Sequence, residues 1–168
     1  NKEGFDDLYF GGMEGVFRAT CKDSEWNIEH LLSVPTSDIV YMDLDGDGKE
    51  ELAIIEEFHG NKAVVFKNLG AGMERMVEIP LSFGHVLWGG QFFGRPALIT
   101  GSRAGDKTLR KFTFICDGEG RTQIEEETVL DEGQAPAQIF VTGDAKESIV
   151  VAANHGVATM AEYRCTEA

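Results

Sequence analysis

The chain has 168 residues, 42% of them apolar, and carries 29 acidic against 15 basic side chains for a net charge of −14. That length and apolar fraction suffice for one sizeable core and argue against disorder, while so acidic a balance argues against a nucleic-acid backbone or an anionic membrane as partner. No apolar run approaches the ~20 residues needed to cross a bilayer.

Taken in order, the chain opens on Asn1 to Asp7, which has neither the basic nor the apolar region of a signal peptide. The true start of the gene product is therefore expected upstream. Cys21, Cys116 and Cys165 are odd in number and lack metal-ligand spacing, so reduced thiols and a cytoplasmic location are expected.

Four segments can then be laid over one another, beginning at Leu8, Ile54, Leu98 and Val150. Each is an apolar strand, a short loop ending in Gly15, Gly60, Gly105 or Gly156, and a second strand. Those glycines recur at intervals of 45, 45 and 51 residues, a period that fits one four-stranded propeller blade. Alternating apolar runs without a helical period point the same way. The second unit should have strands over 38–44, 52–56, 63–67 and 76–81, and the third over 86–92, 96–100, 108–115 and 123–130. In the fourth, 138–142, 148–152 and 158–164 are expected before the chain stops. The first unit begins in its loop.

The fold expected is thus all-β: a partial β-propeller of four consecutive antiparallel blades spanning about 1–34, 35–81, 82–131 and 132–168. The first and last are incomplete, and the whole is one domain within a larger ring. Such an open arc exposes strand edges and apolar faces. The remaining blades are expected from another chain or copy.

Between Asp43 and Leu52 the second unit reads Asp-Leu-Asp-Gly-Asp-Gly-Lys-Glu-Glu-Leu. Carboxylates at Asp43, Asp45, Asp47 and Glu51 and the carbonyl of Lys49 are hard oxygen donors that can converge on calcium. An EF-hand would need an acid where Ile54 stands and a helix on each side, but both flanks are short, apolar and β-branched. With acids at its first, third, fifth and ninth positions, the loop resembles the calcium hairpin of FG-GAP and VCBS propeller repeats. That resemblance implies structural calcium between two strands. The alternative is an Asp/Gly turn without a metal. Asn1, Glu3, Gly4 and Asp7 look like the remains of a second such loop, whereas 89–97 and 142–148 hold the same place without the acids.

Propeller geometry would put the calcium hairpin on one face and the loops between second and third strands on the other. His59, Asn61, Arg103, Asn154 and His155 fall in those loops, Glu14 takes the equivalent place in the first unit, and the connection 82–90 adds His85 and Trp88. Converging histidines with an arginine can hold a second divalent ion, orient a sugar or supply a general base near neutral pH. Each can also simply cap its own loop. His30 and Trp26 are read as structural, Trp26 packing between blades. The stretches Glu56-Glu-Phe-His-Gly-Asn and Phe83-Gly-His-Val-Leu-Trp-Gly-Gly resemble the propeller of fungal aldos-2-ulose dehydratases. This likeness implies a sugar lyase.

Two functions remain open. One is a calcium-stiffened module that binds a carbohydrate or protein through its histidine-rich face. The other is a carbon–oxygen lyase in which His59, His85 or His155 removes a proton and Arg103 stabilises the oxyanion.

Overall fold

The computed structural model describes residues 7–166, so Asn1, Glu3 and Gly4 of the suspected second loop lie outside the described residues. Among the described residues all fourteen elements are strands. They form four antiparallel sheets, each of consecutive strands in meander order. The first holds β1 (Leu8–Gly12), β2 (Gly15–Lys22) and β3 (Glu25–Leu32), and the second β4 (Thr36–Met42), β5 (Glu51–Glu56), β6 (Lys62–Asn68) and β7 (Met73–Pro80). The third contains β8 (Gly84–Phe92), β9 (Arg95–Ser102), β10 (Leu109–Cys116) and β11 (Thr122–Asp131); the fourth contains β12 (Pro136–Gly143), β13 (Glu147–Asn154) and β14 (Thr159–Thr166). Sheets of three, four, four and three strands are the division expected from the repeat.

Neighbouring sheets bury their facing sides against one another in chain order. Because side chains alternate across a strand, Leu52 and Ile54 of β5 pack with Val16 of the first sheet. Ala53 and Ile55 point the other way, toward Leu87, Leu98 and Phe112 of the third. A further cluster joins Val86, Ile99 and Leu109 to Ile139, Val141 and Val150 of the fourth. All six residues of β5 are therefore buried, which explains its nearly unbroken apolar run.

The first strands of successive sheets run beside one another, β1 against β4, β4 against β8 and β8 against β12. Gly89 allows this approach, since a Cβ there would lie 2.2 Å from Val40 Cγ1. The last strands carry the exposed residues. Trp26, expected between sheets, is 57% exposed on β3. It lies on an outer strand whose face has no cover among the described residues.

One irregularity recurs. Pairing jumps from Thr36↔Glu56 to Ile39↔Ile54, from Gly84↔Ser102 to Val86↔Gly101, and from Pro136↔Asn154 to Gln138↔Ala153. Each jump inserts one extra residue near the start of the sheet's first strand, a β-bulge of the kind that re-aims a side chain. His85 and Ala137 are the extra residues in β8 and β12. His85 was expected in the connection between sheets, but the pairing of Gly84 with Ser102 draws it into β8.

Candidate functional site

Backbone hydrogen bonds assemble the histidine face. Gly60 closes the β5–β6 loop so tightly that a Cβ would sit 2.1 Å from the Glu56 carbonyl oxygen. Its own carbonyl accepts from Gly84 N at 2.7 Å, tying the loop to the β7–β8 connection. From the other side, Arg103 N and Ala104 N of the β9–β10 loop donate to Phe83 O and Ser82 O, each at 3.0 Å. The fourth sheet repeats the device, with His155 N donating to Ala135 O at 3.0 Å. Phe83 and Ala135 both adopt positive φ, at 56° and 58°.

These equivalent bonds correct the sequence alignment. Strand pairing makes Glu56, Ser102 and Asn154 counterparts, so His155 corresponds to Arg103 and Glu57 rather than to His59. Loops of unequal length hid this when glycines alone were aligned.

The strapped loops stack their rings. His59 lies 5.1 Å from Phe83 and 4.8 Å from His85 between centroids, with interplanar angles of 15° and 11°. Phe58 tilts against His59 at 4.5 Å, and the Arg103 guanidinium sits 5.7 Å above the Phe83 ring. Both phenylalanines are largely exposed. Beside them lies an open depression of about 440 Å³ lined by Glu56 to Lys62, including Asn61, and by Phe83.

His85 Nδ1 is 2.9 Å from the Ala137 carbonyl. A carbonyl can only accept, so Nδ1 carries the proton and the neutral ring leaves Nε2 with its lone pair. Burial holds this imidazole below its ordinary value. The bond to Ala137 opposes that shift, and the nearby charges of Arg103, His59 and His155 add to it. His59 Nδ1 is buried without a hydrogen-bond partner among the described residues.

The other expected residues are placed less centrally. His155 is exposed, on the next loop. Asn154 is buried at the end of β13, and Glu14 is exposed in the β1–β2 turn. Trp88 points away into the cluster between the third and fourth sheets. The lone pair by which an imidazole nitrogen binds a metal lies in the ring plane, and the planes of two parallel stacked rings meet only far from either ring. A second divalent ion shared by His59 and His85 would require one ring to turn.

Sequence reasoning missed Phe58 and Phe83 as exposed ring faces. Two aromatics flanking loop histidines were the available signal.

At the acidic loop between β4 and β5, Asp43 accepts from Gly46 N at 2.7 Å and Gly48 N at 2.9 Å. Buried Glu51 takes Leu44 N at 2.7 Å through Oε2. Oxygens of Asp43, Asp45 and Glu51 lie within 4.8 Å of one another, as a metal site needs. The space among the acids, however, holds Lys67. Its ammonium is 2.6 Å from Asp45 Oδ2, 2.8 Å from Glu51 Oε1 and 3.0 Å from Asp47 Oδ2. The Glu51 contact is an ion pair without the alignment of a hydrogen bond.

Burial disfavours the Lys67 charge, but its three carboxylate partners outweigh burial and hold it above the usual lysine value. Burial pushes Glu51 up, with Lys67 and the Leu44 amide opposing. Thr122 from the third sheet adds a hydroxyl to Asp45 Oδ2 at 2.6 Å. The donor set suits calcium, but the arrangement does not fit it while this ammonium stands among the donors.

No protein-family model matches this chain, and no curated protein matches it. Within the described residues the cysteines are free, and no helix is long and apolar enough to cross a membrane.

Proposed function

We propose that this chain is part of a propeller-type binding module that presents the Phe83–His59–His85 stack, with Arg103, to a carbohydrate ligand. The observation that carries the reading is a ring stack, exposed at Phe58 and Phe83 and half-buried at His59 and His85, beside an open polar depression. Sugars offer apolar C–H faces to aromatic rings and hydroxyls to imidazole, amide and guanidinium groups, so ring faces edged by polar groups suit them. Four sheets packed in chain order, with their first strands side by side, support the blade reading. Exposed Phe10, Trp26 and Ile28 in the first sheet and Phe140 and Met160 in the fourth support further blades from another chain or copy.

A panel of soluble oligosaccharides titrated by calorimetry against the chain and against Phe83→Ala tests this function. Binding weakened roughly tenfold by the substitution, with unchanged circular dichroism, is expected. Equal binding by both proteins, or binding by neither, would sink it.

The second reading, a carbon–oxygen lyase acting on a sugar derivative, is favoured by one observation: the Ala137 carbonyl keeps the His85 proton on Nδ1, and burial disfavours a second proton at Nε2. In that reading His85 takes the proton from the carbon beside the carbonyl, and Arg103 stabilises the enolate-like charge. The charge collapses to a C=C bond as the β C–O bond breaks, the oxygen leaving as water after His85 returns the proton to it. Turnover of a ketosugar that vanishes in His85→Ala would establish it, and absence of turnover in the parent protein leaves the binding module.

A further inference from the structure

We propose that Lys67 is the resident counter-ion of the acidic loop, standing where a divalent ion would bind and making the β4–β5 hairpin independent of calcium. Three observations carry this. Lys67 and Glu51 are direct partners in the β5–β6 ladder, so the backbone itself delivers the ammonium to the loop. The Lys67 side chain is fully buried, as is that of Asp45, so water does not supply the compensation. Finally, each of the four acids that could serve as ligands, Asp43, Asp45, Asp47 and Glu51, already has a partner from within the chain. Asp43 takes two amides. Asp45 takes the Asp47 amide, Lys67 and Thr122. Asp47 takes the Lys49 amide and Lys67, and Glu51 the Leu44 amide and Lys67.

A calcium ion needs six to eight oxygens at 2.3–2.6 Å. Any position shared by Asp45, Asp47 and Glu51 would put it beside the Lys67 nitrogen, and two cations at such range repel strongly in a buried site. Calcium must therefore expel a buried lysine or leave those three acids alone. Thr122 and the 3.6 Å contact of Cys116 Sγ with Asp47 extend the ammonium-centred network to the third sheet. The hairpin is thereby joined to its neighbour as well as stiffened. The inference holds whether or not the histidine face binds a sugar.

The test compares the full chain and Lys67→Met, each in EDTA and in excess calcium chloride, by thermal unfolding and by calorimetric titration with calcium alone. The parent protein should show the same midpoint in both media and no micromolar calcium binding. Lys67→Met, which leaves the acids without their cation, should lose on the order of 10 °C in EDTA. Calcium should restore much of that loss while binding at least tenfold tighter than to the parent. Micromolar calcium binding by the parent with a rise in its midpoint would overturn the proposal, as would a Lys67→Met protein as stable in EDTA as the parent. If the variant does not fold, the parent titration alone decides by the same criterion.

Discussion

The acidic loop and the histidine face lie at opposite ends of β5, and they treat charge in opposite ways. At the loop, four carboxylates are satisfied by amides, a hydroxyl and one buried ammonium, all supplied by the chain. At the face, rings are stacked by their backbone straps and left partly open, one nitrogen of His59 has no partner among the described residues, and burial disfavours a second proton on His85. A closed network of buried charges specifies a conformation. Groups that are held in place and left with unused valence are available to a ligand.

The sharpest way to break this contrast is Asp45→Ala, which strips the buried ammonium of its shortest partner. Removing one member of a buried ion network costs about 3–5 kcal/mol, so the denaturant midpoint should fall steeply with the slope unchanged. A loss below about 1 kcal/mol would show the loop to be solvated after all.

His85→Ala should cost less, about 1–2 kcal/mol, through the lost stack with His59 and the bond to Ala137. Its larger effect should appear in ligand titrations.

Acid should divide the two ends further. Because burial lowers the His85 value in the folded chain, the unfolded chain takes up its proton first. Stability from this group is complete above the ordinary histidine value of about 6.5 and declines as pH falls through it. His85→Ala should remove that decline, which equilibrium unfolding at several pH values would reveal. A protein whose stability is flat between pH 7 and 5.5 would contradict it.

The smallest effect concerns Glu56, at the histidine end of β5. The Arg75 guanidinium, at 2.5 and 2.6 Å, holds its carboxyl below the usual range. That stabilisation is present above the ordinary glutamate value and is lost as pH drops through the lowered one. Arg75→Met should weaken the acid-dependent loss only below about pH 4.5, and only slightly, since the Arg75 side chain is 41% exposed and screened by solvent.

Strand content and sheet division were legible because turns in this chain are marked by glycine and because strands such as β5 and β6 are nearly continuous apolar runs. Even the inward aim of Lys67 was available, since it shares parity with Ala63 and Val65, which face the third sheet. Its meeting with Glu51 was not, because the partner depends on the register of the β5–β6 ladder. The bulges were equally hidden. One extra residue in β8 leaves no trace in hydrophobic alternation, yet it moves His85 from a connection into a strand. The exposure of Trp26 was not legible either, because size and apolarity suggest burial, whereas coverage depends on what lies beyond an outer strand.

The recurring bulge has a consequence for how such a surface changes over time. Asp38 accepts from the Leu87 amide, and His85 Nδ1 donates to the Ala137 carbonyl, so in two neighbouring sheets the residue at or beside the insertion reaches across to the next sheet. Ala137 holds the corresponding place in the fourth sheet with only a methyl group, beside the depression that His155 lines. A polar residue substituted there would enter the same face without disturbing a ladder bond. Chemistry on this side of the molecule can therefore be rewritten one sheet at a time, while the hydrophobic layers between the sheets remain the same.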